Sequence, residues 1–583
     1  MTDNSQEFNQ RAVRAVIVCL LVVFTYTNFV LAPKKKQAST PAAPTQQTAP
    51  QGSPKAAGAP AQAPAQPIAQ PSGPVQVVGV QQPSHPSAAD IQAAGVSYVQ
   101  SGVTRVGISH LGARMQSYAL NSYKAKQGDE TPLDLTGDLH GSTLPLGVYV
   151  GAENDENVRY TLASVNGAPA TSSPANLQIA QGGTVTLDFK GTLPGGVPVT
   201  KSITFTDGSY LFTVNVSLGA PVGPQQAVWL EWLHRFPTEQ SRSSAIAHAT
   251  YLDGANKIHR LSADDLKTQQ RETSQWIALG DLYFMSSLIP TLAENNSVFA
   301  RDGDLYIGRV SGSEVGGKFT IYAGPKIYTL LEKLGSYQLE RAIDLGFFSF
   351  LALPLLWMLH YIYLIVHNYG LAIIGLTLII KTALLPVSKA SFKSMKAMQE
   401  IQPEMKALRE RVKDPTQLNQ EMMALYKRRG VNPMGGCFPM LIQIPVFFGL
   451  YQALLNAIEL RHSPFALWIT DLSSPEKLEI FGIGVPVMVL LMAASMIIQQ
   501  WTTPNPSADP TQQKVMMFMP LVFAGMFIIF PMPAGLVLYW LVNNIISITQ
   551  QMYLRKTDQG GVYWGTFIAS VAIFGVGYIL TLI

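Results

Sequence analysis

From residue 346 onward the chain is a succession of apolar runs, at 347–366, 369–386, 438–458, 482–501, 515–530, 534–553 and 562–583. Several approach the ~20 residues a helix needs to cross a bilayer. Lipid offers a backbone no hydrogen-bond partners, so runs of this kind fold as helices that satisfy their own peptide groups. This half of the chain is therefore a helical membrane bundle. The charged fraction of 13% and the apolar fraction of 47% are spread unevenly over the 583 residues, as that division requires. One run breaks the pattern. LTLIIKTALLPVSK (376–389) carries Lys381 inside apolar sequence. A charge at mid-bilayer costs roughly 2.5–3.5 kcal/mol on insertion scales, which makes Lys381 a functional candidate.

The N-terminal half reads differently. Residues 15–32 form an apolar run behind Arg11 and Arg14. Asp3 and Glu7 in the flank, and no A-x-A site before PKKK, favour an uncleaved anchor over a signal peptide. Residues 33–90 are rich in Pro, Ala, Gln and Gly and read as a disordered tether. Short alternating runs follow within 91–330: TVTLDF (184–189), SITFTD (202–207), LFTVNVSL (211–218) and KFTIYAG (318–324). Their period of two, broken by Gly, Pro, Asn and Asp, predicts an exported all-β sandwich.

The basic cluster at 388–430 sets the topology, because loops of this kind stay cytoplasmic. With the β region exported, only one of 347–366 and 369–386 can span. The first contains Pro354 and interleaved aromatics, WMLHYIYLIVH, so 331–368 is expected to hold an interfacial helix. Residues 369–386 then span inward, and the four following runs alternate. With the anchor this gives six spans, and 562–583 adds one more within a terminal segment 557–583.

Several runs carry polar marks. Thr377 and Lys381 are four apart and share a helix face. Trp540, Asn543, Asn544 and Ser547 form an i, i+3, i+4, i+7 stripe, continued by Gln550 and Gln551. Ser495 and Gln499 pair at i, i+4, and Gln443 lies in 438–458. Turned together, these faces would line a hydrated cavity; taken singly, each is also ordinary interhelical glue. No Asp or Glu lies in the spans to pair with Lys381. The basic segment predicts two amphipathic helices, 388–412 and 415–429, broken near Asp414 and Pro415. Met395, Met398, Met405, Met422 and Met423 would give them an adaptable apolar face. Lys389, Lys393, Lys396, Arg409, Arg411, Lys427, Arg428 and Arg429 would give a basic one, suited to RNA, anionic lipid or an acidic partner. Cys19 and Cys437 supply neither a disulfide framework nor metal-ligand spacing, and no metal or cofactor site is expected. No G-x-x-x-x-G-K-[ST] signature appears.

Four stretches are distinctive: EMMALYKRRGVNPMGGCFPMLIQIPVFFGLYQAL (421–454), SPFALWITDLS (463–473), DPTQQKVMMFMPLVF (509–523) and PAGLVLYWLVNN (533–544). Through them the chain resembles the YidC/Oxa/Alb membrane protein insertases, in the Gram-negative bacterial layout. The resemblance implies a five-span conserved core at 369–556, an N-terminal anchor span at 1–32 and a periplasmic β-supersandwich. It implies a non-enzymatic chaperone that moves hydrophobic segments of nascent proteins from the cytoplasm into the inner membrane. The expected partners are those nascent proteins, the Sec translocon, the ribosome, targeting components of the signal-recognition kind and membrane lipid, with no specific nucleic-acid sequence. It implies a hydrophilic groove with one positive residue, at Lys381, lined by Thr377 and Trp540; Gln443, Gln499, Asn543, Asn544 and Ser547 join it from the pattern above. Many members have Arg where this sequence has Lys381, so the charge is kept and the bidentate fork is lost. The run 562–583 and the short basic tail, Arg555 and Lys556, depart from the common pattern, which shifts expected ribosome contact to 388–430. A secondary transporter using Lys381 as counter-ion is the alternative; it predicts paired broken helices in internal repeats, which the sequence lacks. A carbohydrate-binding module on an anchor would leave the polar membrane faces unexplained.

Overall fold

The computed structural model describes residues 85–139, 143–221, 227–235, 248–262, 264–291, 295–431, 438–502, 510–556 and 561–582. The anchor run 15–32 lies outside them, as does the tether up to residue 84. The described residues begin inside the stretch read as tether. Helix α1 (Ala88–Ala94) is fixed by a capping box, in which Ser87 and Asp90 satisfy each other's backbone amides.

Among the described residues the β region forms three sheets of ten, six and five strands, almost wholly antiparallel. At the centre of the largest, Thr184–Thr192, Pro198–Thr206, Leu211–Leu218 and Gly316–Pro325 pair in succession. The predicted runs fall on these strands, with SITFTD overrunning its own by Asp207. Alternation explains why: Val199, Ile203 and Phe205 face inward while Thr200, Ser202 and Thr204 are half-exposed between them. Phe189, Ile203, Phe212, Val214, Trp232 and Phe319 form the core between the sheets.

A charged cluster sits inside this domain. The fully buried Asp155 carboxylate meets the Lys201 ammonium at 2.6 Å and the Arg114 guanidinium at 3.1 Å. It also accepts from the Val148 amide at 3.0 Å and the Tyr160 hydroxyl at 3.2 Å. Lys201 donates in addition to the Gly112 and Leu146 carbonyls. Every charge here has a partner, as burial in low dielectric demands.

A short helix, α2 (Tyr328–Lys333), leads to the helical half. There follow α3 (Ser349–Val366), α4 (Tyr369–Ala383), α5 (Leu385–Glu400), α6 (Gln402–Arg411), α7 (Pro415–Arg429), α8 (Phe438–Asn456), α9 (Val487–Thr502), α10 (Pro510–Ile529), α11 (Ala534–Lys556) and α12 (Gly561–Leu582). The chain reverses between α3 and α4 in two residues. His367 takes the left-handed conformation that ends α3, and Asn368 accepts from the Leu371 amide to start α4. Among the described helices α3 alone is long and apolar enough to cross a bilayer by itself; α4 and α5 satisfy that measure together, across a bend of 58°. The predicted span 369–386 is thus divided: its helix ends at Ala383, and Pro386 lies in the first turn of the next.

The β domain is seated on the helical half. Arg461, in the segment after α8, donates to the Lys124 and Ala125 carbonyls at 2.9 and 3.0 Å. The Trp276 indole donates to Tyr337 O at 2.8 Å. Within the same segment Phe465 lies against Gly370, where a Cβ would overlap the ring. Gly370→Ala is therefore expected to destabilise by about 1–3 kcal/mol through overpacking. A melting temperature in detergent unchanged from the parent would contradict this.

The basic segment folds as three helices, not two. Its first break is at Ile401, because Pro403 in the first turn of α6 cannot continue the α5 hydrogen-bond ladder. Met398, Ile401, Met405 and Leu425 form a small core between the helices, flanked by Met422 and Tyr426. Met398 and Met405 are therefore spent on the hairpin itself, and Met423 stays exposed.

Candidate functional site

Lys381 lies in the last turn of α4 and is only 8% exposed. Its ammonium donates to Ser547 Oγ on α11 at 2.8 Å. The Ser547 hydroxyl spends its single proton on the Asn543 carbonyl of its own helix, at 2.8 Å. Its lone pairs are then free to receive the lysine. Among the described residues Lys381 forms no ion pair, so this cation is held by a neutral oxygen. One turn toward the α11 N-terminus, Asn543 Oδ1 accepts from Gln443 Nε2 of α8 at 3.1 Å. Lys381, Ser547, Asn543 and Gln443 thus run as a polar line across α4, α11 and α8.

The other predicted residues fall elsewhere. Asn544 is rotated about 100° from Asn543, and its amide donates to Ser495 Oγ on α9 at 2.9 Å. This is a tie between helices on a second face. Gln499 lies one turn beyond Ser495 on α9 and is half-buried, while the adjacent Thr502 donates to Gln551 Oε1 at 2.8 Å. Thr377 is buried and turns its hydroxyl onto the Ile373 carbonyl of its own helix at 2.7 Å. It contributes a wall, not a donor to the line. Trp540 is enclosed by rings: Phe447 of α8 at 4.9 Å, and Phe523 and Phe527 of α10 at 5.7 and 5.5 Å between centroids. The sequence stripe on α11 therefore resolves into an aromatic plug, a polar line and a glue contact. Ser495→Ala should cost about 0.6 kcal/mol, with about 1.7 as the ceiling for such contacts. The readout is the midpoint of unfolding in denaturing detergent, with insertion rates unchanged.

One further residue belongs beside this set. Gln550, three residues after Ser547, is 3% exposed, and its Nε2 has no acceptor within the described structure. A buried amide without a partner is an open hydrogen-bonding position. The sequence signalled it only as the continuation of a stripe.

Of the basic residues, Lys393, Lys396, Arg411, Lys427, Arg428 and Arg429 are exposed; Lys389 and Arg409 are half-buried. Arg411 pairs with Glu421 at 2.8 Å, and Arg429 pairs with Glu404. These two charges brace the hairpin.

The model of the 60Kd inner membrane protein family matches residues 361–560, and that of the YidC periplasmic domain matches 98–358. Among curated relatives, the membrane protein insertase YidC of Syntrophobacter fumaroxidans is 36% identical over 79% of this chain and 86% of that protein. The chain belongs to the YidC membrane protein insertase family. The YidC of Pelobacter propionicus is 34% identical over 94% of this chain and 99% of its own length. A solved structure, the active YidC insertase with its first transmembrane domain resolved, aligns over 79% of this chain and 95% of that one, with 19% identity and a TM-score of 0.35. As a YidC-family insertase the chain is an inner-membrane protein, with a periplasmic β domain and a helical membrane region. The 361–560 match contains the whole polar line and ends before α12. That last helix packs on α4 through Gly577, where a Cβ would meet Ile374 at 2.9 Å and Leu371 at 3.2 Å. Small residues permit this close approach.

Proposed function

We propose that the polar line centred on Lys381 is the inner wall of a hydrophilic groove that draws polar segments of nascent membrane proteins partway across the bilayer. One observation carries the reading: a buried ammonium that, among the described residues, is held by the neutral Ser547 hydroxyl and by no acid. A charge kept without a counter-ion has its attraction available to a passing acidic group. Gln550 supplies an open donor on the same helix. The client's apolar segment then partitions into lipid past the outward faces of α8 and α10, where Met517, Phe518, Leu521 and Val522 are exposed. Burial of client apolar surface, at roughly 25 cal/mol per Å², drives the step without nucleotide. Members of this family are insertases, not classical enzymes; in this chain the residues act by solvation and no covalent step is invoked.

In the proposed topology α3 lies along the outer surface and α4 spans inward. Supporting it, one face of α3 buries Ala352, Leu355 and Leu359, while Phe350, Trp357, Tyr361 and Ile365 face outward. The domains follow the sequence division: anchor, tether, periplasmic sandwich 91–330, core 369–556 and additional span 557–583. The exposed Lys393, Lys396, Lys427 and Arg428 are the contacts offered to the ribosome or targeting components, and the Sec translocon is a further partner.

Photocrosslinkers at Gln443, Thr377 and Trp540, read against stalled nascent membrane proteins, test the groove. Crosslinks from Gln443 and Trp540 are expected. Silence at all three positions would remove it.

A further inference from the structure

The segment between α8 and α9 carries a feature that the groove does not use. The Glu476 carboxylate accepts from the Trp468 indole at 2.9 Å and from the Met488 amide, in the first turn of α9, at 2.5 Å. This clasp closes a loop from which a small antiparallel hairpin projects, Leu478–Ile480 against Ile483–Val485. Its turn is two residues, Phe481 and Gly482, with φ of 52° and 78°. Positive φ at both central positions is the type I′ turn, whose first position suits Asn, Asp or Gly. Phe is bulky there and strained. Nor does it pack on the described residues: Phe481 is 101% exposed, and its neighbours Ile480 and Ile483 are 41% and 68% exposed. An apolar ring that satisfies neither the turn nor the described core is available to a partner.

We infer that the Phe481 hairpin is a membrane finger, whose tip enters the interfacial layer of the outer leaflet and fixes the depth of the α8–α9 segment. Three observations name lipid as the occupant. The hairpin runs through Pro486 directly into α9, whose first turns already expose Leu490 and Leu491. The next helix, α10, packs on α9 and runs out into exposed Ile529 and Phe530. The exposed face of α3 adds Trp357 and Tyr361, residue types enriched at membrane interfaces. Aromatic side chains gathered at one end of a helical bundle mark the bilayer interface. The finger continues that belt. The rigid Glu476 clasp transmits its depth to the start of α9.

The test uses the full chain with Cys19 and Cys437 replaced by Ala and a single Cys at 481 carrying an environment-sensitive fluorophore. The protein is reconstituted into phosphatidylethanolamine–phosphatidylglycerol vesicles. A nitroxide on the upper acyl chain of the lipid is expected to quench the label, and aqueous iodide to quench it weakly, by about fivefold less than in detergent-free unfolded protein. Efficient iodide quenching would overturn the inference. Protection from both quenchers would also overturn it, since a protein and not lipid would then cover the tip. A second variant guards against the label creating its own insertion. With the fluorophore at position 483, Phe481→Asn should lower nitroxide quenching at least about twofold while leaving the melting temperature equal or higher, because Asn suits the turn. Unchanged quenching at 483 would remove Phe481 from the contact.

Discussion

Replacing Lys381 by Ala should slow insertion of a client whose exported tail carries one Asp by up to about 100-fold, and leave a neutral tail nearly unaffected. The size follows from the barrier. An acidic residue in hydrocarbon costs roughly 2.5–3.5 kcal/mol, and each 1.36 kcal/mol of barrier is tenfold in rate. If Lys381 offsets most of that cost, its loss returns it. Lys381→Arg should recover the rate, because the charge rather than the ammonium shape is required of a passing partner. A Lys in the tail should reverse the preference, since it meets a like charge. The measurement is the rate of protease protection of the tail in proteoliposomes, for tails carrying no charge, one Asp or one Lys. Equal slowing of all three would assign Lys381 to helix positioning through Ser547. An unaltered Asp tail would remove the charge from the mechanism.

The second large effect lies in the periplasmic domain. Asp155→Ala leaves Arg114 and Lys201 buried without their shared carboxylate, and removing one partner of a buried ionic cluster costs about 3–5 kcal/mol. Proteolysis of 95–325 in native buffer should rise steeply with that loss, while Asp155→Asn with Lys201→Met, which removes one charge of each sign, should recover part of it. Resistance equal to the parent would show that water or rearrangement compensates. Burial pushes the Lys201 ammonium from 10.5 down to about 8, against the attraction of Asp155. The sign is then fixed. Below about pH 8 the lysine is charged in both states and the burial penalty is complete. Between about pH 8 and 10.5 the unfolded chain binds a proton the folded one does not, so this group's contribution to stability rises with pH. Lys201→Met should lack that slope.

Much of the architecture was legible because it depends on short periods. Alternation placed the strands at 184–189 and 211–218, since a residue two positions on faces the same side of a sheet. Apolar length located α4, α8, α10 and α11 to within a few residues. Boundaries failed where local chemistry overruled hydropathy. The run read from 482 is apolar enough for a span, yet its residues 483–485 pair as a strand because Phe481 and Gly482 turn the chain ahead of Pro486. The break at Ile401 was missed because Pro403 lies within an otherwise continuous helical pattern.

The sequence alone determined that this chain is a membrane protein with an exported β domain, and that a lysine stands in an apolar helix without an acid in the spans. Those facts rest on composition and period, which one chain carries in its own order. Tertiary structure decided what each polar residue meets. Trp540, Asn543, Asn544 and Ser547 share one stripe on paper, but at 100° per residue they reach four different helices: aromatic rings of α8 and α10, Gln443 of α8 with Lys381 of α4, and Ser495 of α9. A stripe has one face only until other helices pack around it. Which of its members hold the bundle together and which leave a charge available is a property of those neighbours.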